Sequence, residues 1–221
     1  MAARKATVTT SRAESQRLIA REAARAGIGL SAGASDRLLG YFELLLRWGE
    51  RINLTAAGSL AALASDHLPD ALAIASRLGT RDEGAPGSIR RLVDAGSGGG
   101  LPAIPLALLR PEVELVLVEA TAKKAAFLRT AVRKLGLEGR VQVENRRVER
   151  EGEDGGFDGA TSRAMVSPED WLVMGRLLVR PAGIVFCLSA RALGTAPPGL
   201  ELVHQDRYQA DRWLTELQRS T

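Results

Sequence analysis

Leu92-Val93-Asp94-Ala95-Gly96-Ser97-Gly98-Gly99-Gly100 is the stretch that decides the fold. An apolar run ends on an acid, passes into a glycine-rich turn, and gives way to the helical pattern of Leu101-Pro102-Ala103-Ile104-Pro105-Leu106. A strand, a glycine turn and a helix start make the first unit of an open parallel sheet, whose ligands bind beyond the carboxyl ends of its strands. A phosphate-binding P-loop closes on Gly-Lys-Ser/Thr, whereas Leu101 and Pro102 follow here. The dinucleotide pattern G-x-G-x-x-G fails from Gly96, where its last position falls on Leu101, and fails again from Gly98. What remains is Asp-x-Gly-x-Gly-x-Gly, filled by Asp94, Gly96, Gly98 and Gly100. A merely flexible turn is the plain alternative.

Working outward, short β-rich runs alternate with helical ones. Strands are expected over 91–94, 114–119, 141–144, 157–162 and 184–188, with helices over 101–109 and 121–135. Ser167-Pro168-Glu169-Asp170 opens a further helix: serine caps, proline suits the first turn, and the acids favour the positive end of the dipole. The tail over 200–217 supplies two antiparallel strands. This pitch implies an α/β fold with a mostly parallel seven-stranded, Rossmann-like sheet and helices on both faces. Before it lie three helical patterns, over 13–26, from about 35 with Leu38, Phe42, Leu45 and Ile52 on one face, and over 59–78 with a break at Pro69. The chain therefore divides into a frayed polar tail at 1–12, a helical extension with its glycine-bearing connection at 13–88, and a main domain at 89–221.

The bulk composition narrows the setting. Of 221 residues, 45% are hydrophobic and 25% charged, ordinary for a globular protein. No apolar stretch approaches the roughly 18 residues needed to span a bilayer, and the start, with Arg4, Lys5 and Arg12, has no apolar h-region. A single cysteine, Cys187, and two histidines, His67 and His204, offer no disulfide and no metal cluster. A reducing, cytoplasmic setting follows, with a monomer and no membrane partner. The net charge of +4 and pI near 9.7 favour an acidic partner, nucleic acid above all.

The glycine loop resembles the cofactor loop of class I methyltransferases. S-adenosylmethionine has no pyrophosphate; it presents an ammonium group, suited to an acid at a strand end, and a carboxylate, suited to a helix start. Glu119, about 20 residues past the glycines at the end of the second strand, is placed to accept ribose hydroxyls. Cys187 sits mid-strand, which argues against the cysteine nucleophile of pyrimidine carbon-5 methylation. The Asn/Asp-Pro-Pro-aromatic motif of amine methylation is missing after the fourth strand, where Thr161-Ser162-Arg163-Ala164 stands. An acceptor with a free lone pair and no proton to lose, such as ring nitrogen 7 of guanine, suits so few acid–base groups, since proximity and orientation then carry catalysis.

From about Leu38 to Leu217 the chain resembles the bacterial 16S rRNA (guanine) methyltransferase G family, also known as the glucose-inhibited division protein B family. The resemblance rests on Trp48 with Asn53-Leu54-Thr55, on His67 and Asp70, and on Gly100-Leu101-Pro102-Ala103-Ile104-Pro105-Leu106. Lys123-Lys124, Phe127-Leu128, Arg147-Val148-Glu149 and Ser162-Arg163-Ala164 fall in register as well. It implies transfer of a methyl group from S-adenosylmethionine, leaving S-adenosylhomocysteine, to nitrogen 7 of a guanine in the 530-loop region of 16S rRNA or the small subunit. It also implies cofactor contacts from Asp94, Gly96, Ser97, Gly98, Gly100, Leu101, Glu119, Ala120, Val148, Glu149 and Arg163. RNA contacts fall to Asn53, His67, Lys123, Lys124, Arg147 and Arg163, with Arg163 and His67 nearest the chemistry. Asp66, Ala71, Ala103, Ser189 and Trp213 depart from the family pattern, Ser189 and Trp213 replacing a lysine and a histidine. A methyltransferase acting on a protein or small metabolite, and a non-catalytic protein binding cofactor or RNA, are the competing readings.

Overall fold

A computed structural model describes residues 11–79, 88–148 and 155–221. Glu149, the tail at 1–10 and most of the connection at 80–87 lie outside the described residues. Four helices come first: α1 (Arg12–Arg25), α2 (Ala32–Gly49), α3 (Leu60–Asp66) and α4 (Leu68–Gly79). Then follow β1 (Arg91–Ala95), α5 (Ala103–Leu109), β2 (Glu114–Val118), α6 (Ala122–Lys134), β3 (Val141–Glu144), β4 (Phe157–Ser162), α7 (Pro168–Leu178), β5 (Val179–Ser189), β6 (Leu200–Gln209) and β7 (Arg212–Arg219).

Serine starts most of the capped helices. The hydroxyls of Ser11, Ser31, Ser59 and Ser167 accept from the backbone N–H three residues on, meeting donors that a first helical turn leaves unpaired. Two expected boundaries move. The second helix starts at Ala32, ahead of residue 35, because Ser31 is its cap. The break in the third pattern falls at His67, with Pro69 in the first turn of α4, where the missing N–H costs nothing.

The seven strands run in the order β3-β2-β1-β4-β5-β7-β6. β1 pairs parallel with β2 and with β4, β4 parallel with β5, and the β6–β7 hairpin closes the edge antiparallel to β5. β5 begins at Val179, five residues ahead of the expected 184, because Phe157 pairs Val179 before a register shift. β1 and β2 are buried except at their first residues, as strands covered on both faces must be. Alternate residues divide between two cores. Leu92, Leu115, Leu117, Ile184 and Phe186 join the helical extension, α5 and α6; Val93, Val116, Val118, Val185 and Cys187 pack on Trp171, Leu172 and Met174 of α7. The extension thus shares one continuous apolar core with the sheet.

The extension also grips the glycine loop. Tyr41 of α2, fully buried, donates its hydroxyl hydrogen to the Gly99 carbonyl at 2.5 Å. A Cβ at Gly99 would stand 2.9 Å from the Leu54 carbonyl, so glycine is what lets the segment after α2 press on the loop. Tyr41→Phe leaves that buried carbonyl unsatisfied and is expected to lower unfolding free energy by about 1–3 kcal/mol. Urea unfolding of the two proteins measures it; equal midpoints would show that the bond contributes nothing.

Candidate active site

β1 and β4 lie side by side while the chain leaves them toward opposite halves of the sheet, which makes a crevice at their carboxyl ends. The loop after β1 is tied down from below: Gly96 and Ser97 donate backbone N–H bonds to the Val118 carbonyl at 2.9 and 3.0 Å. Gly100 N–H donates to the Ser97 carbonyl, and the Ser97 hydroxyl to the Asp94 carbonyl at 2.9 Å. Gly98 holds φ at +56°, a left-handed conformation that suits glycine. Its N–H donates to Glu119 Oε2 at 2.9 Å, while Glu119 Oε1 accepts from Thr121 N–H at 2.7 Å. Glu119 therefore braces the loop and faces the cavity at once. That cavity, of about 550 Å³, is lined by Gly96, Gly98, Glu119, Ala120, Val148 and Arg163, with Lys124, Arg146 and Arg147 also contributing.

Asp94 lies beneath the loop, 1% exposed, and neither carboxylate oxygen has a hydrogen-bond partner among the described residues. Burial raises its pKa to about 7, against lowering by Ser97 and with a further rise from the Glu119 charge. An orphaned buried carboxylate is costly, and native structures retain one where function needs it. Its chemistry fits the ammonium group of an amino-acid-bearing cofactor, reached directly or through water, as the loop backbone and Glu119 fit the rest of a nucleoside. These are the residues that would hold S-adenosylmethionine.

Across the crevice, Arg163 follows β4. Its Nε pairs with Asp70 Oδ2 at 2.8 Å, and its Nη1 donates to His67 Nδ1 at 2.5 Å. A guanidinium only donates, so Nδ1 is the bare nitrogen and Nε2 carries the hydrogen toward Thr55 Oγ1 at 3.2 Å. Burial and the Arg163 charge depress the His67 pKa to about 4, which keeps the ring neutral. Asp70, 2% exposed, also accepts from Arg212 Nη1 at 2.9 Å and from the Tyr208 hydroxyl at 2.8 Å. Arg163 is thus fixed through both its Nε and its Nη1. The next residue, Ala164, holds φ at +55°, a strained conformation for a residue with a Cβ. Arg163, Ala164 and Val166 form a wall between the first cavity and a second of about 340 Å³.

Among the residues expected at the site, Gly96, Gly98, Glu119, Ala120, Val148 and Arg163 gather at the first cavity, Asp94 is buried at the end of β1 without lining it, and His67 meets Arg163. Ser97 and Gly100 shape the loop, and Leu101 is 9% exposed behind it. Lys124 and Arg147 line the cavity; Lys123 lines a separate groove with Arg47, Trp48 and Arg51, and Asn53 stands exposed beyond α2. Cys187 is buried and its pKa is pushed up to about 11, so it is a neutral thiol. The sequence reading missed Tyr41. It also missed Thr55 as a histidine partner, and Tyr208 and Arg212 as partners of Asp70. Among the described residues no helix is long and apolar enough to cross a membrane.

Residues 34–195 match the model of the GidB family, described as rRNA small subunit methyltransferase G. The ribosomal RNA small subunit methyltransferase G of an Azoarcus species is 38% identical over 162 residues, covering 73% of this chain and 72% of the relative. The protein of that name from Methylococcus capsulatus is 37% identical over 200 residues, covering 86% and 93%. A solved structure from Klebsiella pneumoniae, of a protein proposed to be an O-methyltransferase, aligns with a TM-score of 0.53 at 18% identity, over 82% of this chain and 90% of that one, a likeness of fold.

His67 and Asp94 make opposite demands on pH. Between about pH 4 and 6.5 the unfolded chain protonates His67 and the folded protein does not, so this group's stabilisation is lost as pH falls through that window. Between 3.8 and about 7 the folded protein protonates Asp94 and the unfolded chain does not, so its contribution is lost as pH rises. His67→Gln should therefore be relatively more stable than wild type at pH 4.5 than at pH 7, and Asp94→Asn relatively more stable at pH 7 than at pH 4.5. Melting temperatures across this range test both; difference curves that do not vary with pH would contradict them.

Proposed function

We propose, because the chain belongs to the rRNA small subunit methyltransferase G family, that it methylates 16S rRNA using S-adenosylmethionine, at nitrogen 7 of a guanine in the 530-loop region. The observation that carries this reading is the pair of cavities divided by the Arg163–Val166 wall, one against the glycine loop that follows the orphaned Asp94 carboxylate, the other open beside it. Bound in the first, S-adenosylmethionine supplies an electrophilic methyl group on a sulfonium centre. Asp94 would hold the ammonium, the Gly96–Gly100 backbone the amino-acid portion and Glu119 the ribose hydroxyls, while Ala120 and Val148 would flank the adenine.

The group such a cofactor would supply is a methyl already activated by the positive sulfur, so that nitrogen 7 would accept it with its lone pair, the sulfur would retain the electrons of its bond to the methyl carbon, and the charge would pass to the base. No proton has to leave, so no general base is needed and the contribution asked of the protein is orientation. Arg163, which lines both cavities, is the donor placed to meet O6, the acceptor beside nitrogen 7 on the same edge of guanine. His67, whose Nδ1 is occupied by Arg163, is a positioning residue. Lys123, Lys124 and Arg147 meet phosphates. The enzyme acts as a monomer in the bacterial cytoplasm, where its substrate is.

Labelled S-adenosylmethionine offered to undermethylated small subunits, and separately to their naked RNA, should give 7-methylguanosine in the 530-loop fragment. No transfer to either would overturn the reading. Arg163→Ala should reduce kcat/KM by about a hundredfold or more without weakening cofactor binding to the same degree.

Cofactor affinity is expected to rise as pH increases from 5.5 to 7, because the ammonium selects the ionised form of Asp94, whose pKa is about 7 in the free protein. Calorimetry in buffers of different ionisation enthalpy should register proton release on binding, and Asp94→Asn should abolish it. A flat affinity over this range would remove Asp94 from the ammonium site.

A further inference from the structure

The second cavity carries an acceptor that the methyl-transfer chemistry does not use. It lies at the carboxyl ends of β4 and β5 and is roofed by the turn between β6 and β7, with Asp70, Arg163, Ser189, Asp211 and Arg212 in its lining. The Arg163–Val166 wall is the side it shares with the cofactor cavity. A guanine seated there for reaction at nitrogen 7 must turn its N7/O6 edge to that wall. The neighbouring edge, which shares O6 and carries N1–H and the N2 amino group, then turns to the side of the cavity and presents two adjacent donors.

The polar groups of the lining differ in what they have left to accept them. Both Asp70 oxygens already receive hydrogen bonds, Oδ2 from Arg163 and Oδ1 from Arg212 and Tyr208. The Ser189 hydroxyl is turned to the Arg191 carbonyl and that of Ser162 to the Ala95 carbonyl. Asp211 occupies the two-residue turn joining β6 to β7 and is exposed; its charge acts on the neighbouring Arg212, but among the described residues no donor is hydrogen-bonded to its carboxylate. Its backbone is held in place by the next residue, Arg212, through the ion pair with Asp70. Resting on the function proposed above, we infer that Asp211 is the residue that selects guanine, its carboxylate accepting the N1–H and N2–H donors of the extruded base.

The chemistry discriminates as well as binds. A carboxylate facing two donors makes a charge-assisted pair of hydrogen bonds. Adenine presents an acceptor at N1 and no amino group at C2, so the same carboxylate repels it. Reading an extruded base along this edge is a general device of enzymes that act on nucleobases. Asp211 and Arg163 then grip neighbouring edges of one ring, which fixes the angle at which nitrogen 7 meets the wall.

The test uses subunits reconstituted with 16S rRNA carrying either guanosine or inosine at the methylated position. Inosine keeps N7, O6 and N1–H and lacks only the N2 amino group. The full-length enzyme should prefer guanosine by about tenfold in kcat/KM, the scale of one hydrogen bond to a charged group. Asp211→Ala should lower turnover on guanosine and reduce the preference below about threefold, with cofactor binding by calorimetry unchanged. Wild type treating the two substrates alike would overturn the inference. So would Asp211→Ala slowing both by one common factor, the signature of a merely structural role, or leaving both unaltered. Failure of the wild type on guanosine itself would remove the underlying function and the inference with it, an outcome distinct from the others.

Discussion

The Asp70 carboxylate receives Arg163 on one oxygen and Arg212 and Tyr208 on the other, at 2.8 to 2.9 Å. Four parts of the chain meet there: α4, the segment after β4, and both strands of the C-terminal hairpin. Its side chain is 3% exposed, so its charge is sustained by two guanidinium groups and a hydroxyl in place of water. Removing one partner from such a cluster typically costs about 3–5 kcal/mol, because the charge left behind stays buried. The position of Arg163 follows from this, as do the neutral His67 beside it, the wall it forms and the placing of the β6–β7 turn over the second cavity.

Two buried aspartates divide the work of the site. Asp70 is saturated with donors and holds the protein to itself. Asp94, equally buried, has none, and its raised pKa expresses that deficit. Burial is the same for both; only the partners differ. A saturated acid gains nothing from a cationic ligand, whereas an orphaned one recovers its solvation from it. The contrast makes Asp94, and not Asp70, the acid suited to a cationic ligand.

Strands β3 and β4 and the cap at Ser167 were legible in the sequence to the residue, because each rests on local pattern or turn chemistry. So were Asp94, the glycines and Glu119, which lie within one strand–helix–strand unit. The start of β5 was not legible, since it depends on a pairing with Phe157 across a register shift. Tyr41 meets Gly99 across 58 residues, Tyr208 meets Asp70 across 138, and Arg212 meets it across 142. No periodicity in one sequence encodes such distances. The family departures gain a physical sense in the same way. Ser189 and Trp213 are direct partners in the β5–β7 pairing, so they form one altered site in the sheet. Asp66 offers its backbone carbonyl to Arg212, a contact indifferent to the side chain it carries.

The apolar core that runs without interruption from Ile19 in α1 through Leu45 in α2 to Leu92 and Phe186 in the sheet has a consequence for how this protein fails. Cofactor loop, arginine wall and helical flank belong to one cooperative unit. The glycine-loop pocket and the helical flank are therefore expected to melt together, and a substitution that opens this core to act first through the number of folded molecules.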